Sequence, residues 1–343
     1  MRKAVGTIFI LTLLALVGCK RMPLYDLENK EVDLELDLDL ELELDLKLDL
    51  DVKVDIEVDT VIPTPEYMKV NFYSMDNAGL NYAEFVGPLG GPISTPPGTY
   101  VMLIYNFGTE YIQIRNEGNI NTIEAFTSDI TATKGATLRS FIPSKRAGEA
   151  TETDELEEPQ GPIIYPPDHL LVTRETVVIP DMTNENRKVT VYATVSDVVE
   201  TYAFEVPNVQ GAEYVQSVEA FITNQARSSF FGRPEVSKEP ATIWFPVGVN
   251  REKGYLFTVF NTFGKLPGES RSFLHMLITN TEGQQVHVTT DITDQFDHPD
   301  PDREHIIVID QEIVVPPPSG GEGGGIAPTV DPWDEENTDV PIG

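Results

Sequence analysis

Cysteine is almost missing from this chain: 343 residues contain one, Cys19. An internal disulfide is excluded, so a folded region must be held by its core alone even in an oxidising compartment. Basic residues are scarce. Lys and Arg number 24 against 56 Asp and Glu, a formal net charge of −32, so nucleic acid would be repelled and is not expected as a partner. Histidine is sparse, and the five, His169, His275, His287, His298 and His305, show no paired zinc spacing. A Gly-x-Ser-x-Gly elbow and a phosphate-cradling glycine loop are both lacking. Carboxylates are too numerous for any pair to stand out as general acid and base. The composition therefore points to a non-enzymatic protein with no cofactor.

What is present begins with the setting of Cys19. Arg2 and Lys3 precede an apolar run from about Ala4 to Val17, long enough for a signal h-region and short for a helix that crosses a bilayer, which needs about 20 residues. Leu16-Val17-Gly18-Cys19 resembles a bacterial lipobox. The resemblance implies cleavage before Cys19, a diacylglycerol on its thiol and a third acyl chain on its amine, which together hold a membrane far more firmly than one chain does. Residues 1–18 are thus expected to be a lipoprotein signal peptide, with Cys19 the lipidation site.

Residues 31–59 alternate without a break. Odd positions carry thirteen Asp or Glu plus Lys47 and Lys53, and every even position from Val32 to Val58 is Leu, Val or Ile. Such a period of two gives a strand one aliphatic and one charged face, whereas on a helix it would scatter the aliphatics. Asp and Glu are poor strand formers. The net excess of repulsive i, i+2 pairs costs about 4 kcal/mol before screening, against roughly 1.5–3 kcal/mol gained for each of fourteen aliphatic side chains on burial. The strand wins wherever an apolar face covers it. Fully extended the segment would span on the order of 95 Å, too long for one domain. The expected division is an acidic repeat stalk over residues 19–46 and a first strand at about residues 47–59.

Beyond Pro63 short alternating runs recur about every ten residues between Gly, Pro and Asn, as in Met68-Val70-Phe72, Val189-Val191-Ala193-Val195 and Tyr202-Phe204-Val206. No segment shows a convincing helical period. The fold class is all-β, with an N-terminal β-sandwich over residues 47–145, a Pro- and Glu-rich linker over 146–167 and a C-terminal β-sandwich over 168–315. Residues 316–343, which open on three prolines and pass through a glycine run to Trp333, read as a flexible acidic tail.

Certain residues carry a likeness beyond these patterns. They are the lipobox followed by Arg21-Met22-Pro23-Leu24-Tyr25-Asp26, the Leu-Ile-Tyr-Asn core ending at Asn106, and Tyr202 to Val206 leading into Val218-Glu219-Ala220. Phe260-Asn261-Thr262-Phe263-Gly264 and Thr290-Asp291-Ile292-Thr293-Asp294-Gln295 complete the set. In this order they resemble an uncharacterised family of Bacteroidales lipoproteins related to the fimbrillin-associated anchor proteins of FimB type. The resemblance implies two tandem transthyretin-like β-sandwich domains, acyl chains in the outer membrane and a place at the base or tip of a pilus. The implied partner is a fimbrillin-type pilus subunit joined by strand addition. The repeat and the Lys20-Arg21 pair after Cys19 depart from the family pattern.

Two side-chain groups remain. Asp294, Asp297, His298, Asp300 and Asp302 crowd one loop, but the glycine and distal Glu of an EF-hand loop are missing. A solvated acidic turn is expected, and Asp297, Asp300 and Asp302 would be the ligands if a cation bound. Tyr100, Tyr105, Phe107 and Tyr111 would line a sugar-binding surface under the alternative reading, a surface lipoprotein that binds glycan or a host ligand; their alternation equally suits a core.

Overall fold

The computed structural model describes residues 32–40, 62–139, 160–180, 188–268, 270–296 and 305–318. Among these residues the first half contributes β1 (Val32–Leu40), β2 (Tyr67–Ser74), β3 (Leu80–Val86), β4 (Gly90–Thr95), β5 (Gly98–Phe107), β6 (Ile112–Arg115), β7 (Glu124–Thr127) and the helix α1 (Thr131–Arg139). There follow β8 (Ile163–Ile164), β9 (Leu171–Ile179), β10 (Lys188–Asp197), β11 (Glu200–Val206), β12 (Val209–Gln210), β13 (Val215–Ala226), β14 (Ser228–Phe230) and β15 (Glu235–Val236). The chain ends with β16 (Pro240–Pro246), β17 (Gly248–Asn250), β18 (Tyr255–Thr262), β19 (Phe273–Asn280), β20 (Gln285–Asp291), β21 (Ile306–Val308) and β22 (Ile313–Val314). The described residues are overwhelmingly β, as the alternation requires.

Seven strands run in the order β3-β2-β5-β9-β10-β1-β4. β9 and β10 pair only at Ser196↔Val172 and Asp197↔Leu171, so the two strands splay and the array folds into two layers, β3-β2-β5-β9 over β10-β1-β4. Between them lies one apolar core. β2 and β5 contribute Met68, Val70, Phe72, Met102 and Ile104, and the opposite layer contributes Leu34, Leu36, Leu38, Ile93 and Val195. A second core separates β20-β19-β13-β16-β8 from β17-β18-β11-β21. Its aromatic centre is Phe204, Phe245 and Phe260, the last two stacked at 4.4 Å and 2°. The outer face of the five-stranded sheet has its own cover: Phe221 and Leu277 pack against Ile130, just before helix α1, and Leu138 in its last turn.

A small sheet, β15-β14-β7-β6, joins the two sandwiches, because β6 and β7 come from the first half of the chain and β14 and β15 from the second. Against it lies the outer face of β2 and β5, with Tyr73, Leu103 and Tyr105 packed on Ile112, Ile123, Ala125, Phe231 and Phe263. The junction is a third core. Tyr73 and Tyr105 turn their hydroxyls to one buried amide, Asn71 Nδ2 donating to them at 3.0 and 3.4 Å. Burial pushes the Tyr73 hydroxyl up to about 12 and that of Tyr105 higher still.

Several expected boundaries change. The stalk assigned to residues 19–46 contains β1, a central strand of the first sandwich with Leu34, Leu36 and Leu38 sealed in the core. Burial of that face outweighs the poor strand propensity of its acids. The first strand expected at residues 47–59 lies outside the described residues, as do residues 1–18. Inside the expected linker, Ile163 and Ile164 form β8, which pairs in parallel with β16 and buries one isoleucine on each face of the sheet. Gly161 makes that approach possible: its φ is +74° and an added Cβ would sit 1.9 Å from the Pro240 carbonyl oxygen. β9 and β10, placed by sequence in the second sandwich, belong to the first, since β9 pairs along its length with β5. Helix α1 was not legible either; its sequence, TATKGATLR, has no apolar stripe.

Candidate functional site

Two features of this frame bear on function. The first is the seat of β1. It is held in parallel by β10, from Asp33↔Lys188 to Leu40↔Val195, and antiparallel by β4, from Val32↔Thr95 to Asp37↔Gly90. The ladder runs on both sides, so β1 fills a slot one strand wide. Leu34, Leu36 and Leu38 face the core, and Asp37 on the other face is exposed. At the far edge of the opposite layer β3 pairs, among the described residues, with β2 alone and is largely exposed, with Phe85 and Phe107 in edge contact at 5.3 Å. Lys69 sits over both rings at 5.7 and 5.6 Å and pairs with Glu117, so this edge presents a cation held among aromatics.

The second feature is a cleft of about 590 Å³ at the junction of the sandwiches. Tyr111 and Tyr165 stack at 5.1 Å, and Trp244 meets Tyr165 edge-on at 6.2 Å. Asn106 and Asn261 hold the floor, the segment 165–169. Asn106 donates to the His169 carbonyl at 3.0 Å and accepts from Leu171 N–H at 2.8 Å, while Asn261 donates to the Pro167 carbonyl at 3.0 Å. Asp168 Oδ2 accepts from the backbone N–H of Tyr111 and Ile112 at 2.5 and 3.1 Å, which fixes the aromatic loop. Glu66, Glu110 and Asp168 make the rim acidic. The hydrogen bond and charge of Glu110 raise the Tyr111 hydroxyl above its ordinary value. A face of stacked rings with acids around it suits a neutral sugar or a basic side chain and repels anions.

Of the residues singled out by sequence, Cys19 and the acids Asp297, Asp300 and Asp302 lie outside the described residues, and so does His298. Asp294 lies on the 3₁₀ turn Thr293–Gln295. Among the described residues no group of three or more His, Cys, Asp or Glu is placed to hold a metal ion. No described helix is long and apolar enough to cross a membrane. His275 and His287 lie on strands β19 and β20 as alternation implies, and His169 Nδ1 meets Asp197 Oδ2 at 2.6 Å. The four tyrosine and phenylalanine candidates divide. Tyr105 is in the junction core and Tyr100 packs on the first core, whereas Phe107 and Tyr111 are exposed and line the cleft. Tyr165 and Trp244, which complete the cleft, are not marked out by sequence pattern; the signal available is a tyrosine followed by Pro166 and Pro167. The motif residues Asn106, Asn261 and Phe263 serve the junction, and Gln295 bonds both ways with the backbone of Val308 at 2.8 and 3.2 Å to seat β21.

Fold and site together define a two-sandwich β-protein with a braced junction, a slot-filling N-terminal strand and no described metal centre. A family model, the domain of unknown function DUF5119, matches residues 43–246, more than half of the chain, and the chain belongs to that family. The resemblance to Bacteroidales fimbrial-anchor relatives holds. A curated Bacteroides ovatus protein, "Putative fimbrium anchoring subunit Fim4B", is 38% identical over 65 residues, which is 19% of this chain and 20% of that one. The match therefore spans a fifth of that relative's length. A crystal structure of a "putative adhesin" from Bacteroides ovatus shares the fold, at TM-score 0.54 and 22% identity over 88% of this chain and 98% of that one. The fimbrial anchor protein Mfa2 from Porphyromonas gingivalis aligns at TM-score 0.45 and 11% identity over 82% and 90%, too weak a likeness to carry an argument.

Proposed function

We propose that this chain is a non-catalytic anchor or assembly subunit of a fimbria, fixed to the outer membrane by acyl chains on Cys19, with its two sandwiches of transthyretin-like type. The observation that carries the reading is the course of the N-terminal chain. Only twelve residues, 20–31, separate Cys19 from β1, and β1 is bonded on both sides inside the first sandwich. A pull on the lipid would thus load a central strand directly. The relative named as a fimbrium anchoring subunit supports the same role. A fimbrillin-type subunit would join by strand addition, for which β3, exposed around Phe85 and last in its sheet, is the edge on offer. Affinity then comes from ladder hydrogen bonds, with no need of a catalytic residue.

The test is cross-linking of intact cells that carry the wild-type chain or Cys19→Ser. The wild type should be recovered from the outer membrane with a fimbrillin-type subunit, and the variant should leave the membrane and shed pili into the medium. Recovery of the wild type only as a monomer, with pili unaffected by its loss, refutes the assignment. The stacked Tyr111 and Tyr165 beside Trp244 favour a second reading, a surface lipoprotein that binds glycan or a host ligand. That result would direct attention to the cleft.

A further inference from the structure

The β1 slot demands little of the strand that fills it. It needs aliphatic side chains at three alternate inward positions, held by Leu34, Leu36 and Leu38. Across the ladder the outward positions of β1 face Thr190, Tyr192 and Thr194 on one side and Ser94 and Pro92 on the other, with Lys188 opposite Asp33 the one basic register partner. This chemistry selects a face. It does not select a register, because a shift of two residues restores the same face.

The sequence supplies the same pattern many times over. Every even position from 32 to 58 is aliphatic, so nine-residue windows that start at any even position from 32 to 50 present an equivalent apolar face. The window 46–54 is chemically the better strand. It replaces two leucines with Val52 and Val54, which suit a pleated surface, and its outward residues are Lys47, Asp49, Asp51 and Lys53 in place of four acids.

Chain geometry permits the exchange. β1 runs parallel to β10, whose end at Ser196 pairs with Val172; Val172 pairs with Tyr105 and Tyr105 with Lys69. The end of β1 and the start of β2 therefore lie at the same end of the sandwich, across a layer spacing of about 10 Å. With 46–54 seated, residues 55–61 still reach about 26 Å before Ile62 enters the core.

We propose that the slot between β10 and β4 is a register-degenerate binding site for the chain's own alternating segment, taking residues 46–54 as well as 32–40. On the anchor reading, which this consequence alone rests on, the exchange sets the tether between Cys19 and the fold. It would be 12 residues in one state and 26 in the other, about 40 Å against about 90 Å when extended.

Two double-cysteine variants in a Cys19→Ser background test the slot independently of the membrane. Tyr192 on β10 is 75% exposed and lies opposite Asp37, and a shift of fourteen residues brings Asp51 to that place. Neighbouring strands lie within disulfide reach. Under mild oxidation D37C/Y192C and D51C/Y192C should both close within the monomer, in yields within about tenfold of each other. Closure of one pair only, or closure only between copies, overturns the inference. Hydrogen exchange on the chain without these substitutions gives a second reading: partial protection of both windows is expected, and full protection of one with none of the other overturns it.

Discussion

Glu124→Gln is the sharpest test of how the two sandwiches are braced. Glu124 lies on β7 with 5% of its surface exposed, and both carboxylate oxygens are in use. Arg115 Nε and a terminal guanidinium nitrogen donate to them at 2.7 Å each, and Ser228 Oγ on β14 donates at 2.6 Å, so one side chain ties the first half of the chain to the second. Burial alone would raise this carboxyl, but the Arg115 and Ser228 hydrogen bonds and the nearby guanidinium charges hold it below the ordinary carboxylate value. The amide keeps the shape and turns an NH₂ toward donors. Breaking a fully buried ion pair costs about 3–5 kcal/mol. The Arg115 side chain is 48% exposed and can recover water, so about 1–3 kcal/mol is expected here. In thermal melts that lowers Tm by about 2–10 °C at pH 7. The sign of the pH dependence follows from a depressed folded pKa. The stabilisation is full above the unfolded value and is lost as pH falls through the folded one, so the gap between wild type and variant should close toward pH 3. A gap absent at pH 7, or equally wide at pH 3, refutes the brace.

Two further substitutions probe other points of the frame. Glu205 on β11 is buried, and burial raises its carboxyl against the partial offset of the Tyr255 hydroxyl; its folded form holds the proton more tightly, so wild-type stability falls as pH rises above the ordinary carboxylate value. Glu205→Gln should therefore raise Tm at pH 7 and have no such effect at pH 4, and a lower Tm at pH 7 would contradict this. Gly90, at φ +92°, lies with its absent Cβ only 2.0 Å from the Leu36 carbonyl oxygen. Gly90→Val should cost at least about 2–4 kcal/mol in denaturant titration, and a neutral result would mean that β4 does not close on β1.

Most strands were legible because alternation is local. Met68-Val70-Phe72 became β2, Val189 to Val195 became β10, and Tyr202-Phe204-Val206 became β11. Partnership is not local, so sequence order alone puts β9 and β10 with the second sandwich: nothing in Leu171-Val172 announces that its neighbour is β5, more than sixty residues earlier. The linker failed for a related reason. Two isoleucines among prolines look too short for a core element, yet they need only extend a sheet whose other strands are already in place. The cleft was half legible. Phe107 and Tyr111 were named, but whether an aromatic on a strand points to core or solvent depends on which face the junction covers, and Tyr105, two residues from Phe107, lies within that junction.

The alternating segment shows the same limit in its purest form. Binary pattern and burial energy together identified a strand with one apolar face, and β1 bears that out against its own poor propensity. They could not say which nine residues would be used, because period-two order repeats every two residues and the energy of burying Leu34, Leu36 and Leu38 differs little from that of burying Leu48, Leu50 and Val52. In most sheets register is fixed by irregularity: a bulge, a glycine, a large side chain that fits one neighbour. β13 carries such marks, with register shifts between Val215 and Ser217 and between Ile222 and Gln225. Residues 31–59 contain neither Gly, Pro nor an aromatic. A sequence so regular specifies its face completely and leaves its register to the slot, and the slot, lined outward by Thr190, Tyr192 and Thr194, holds few features with which to choose.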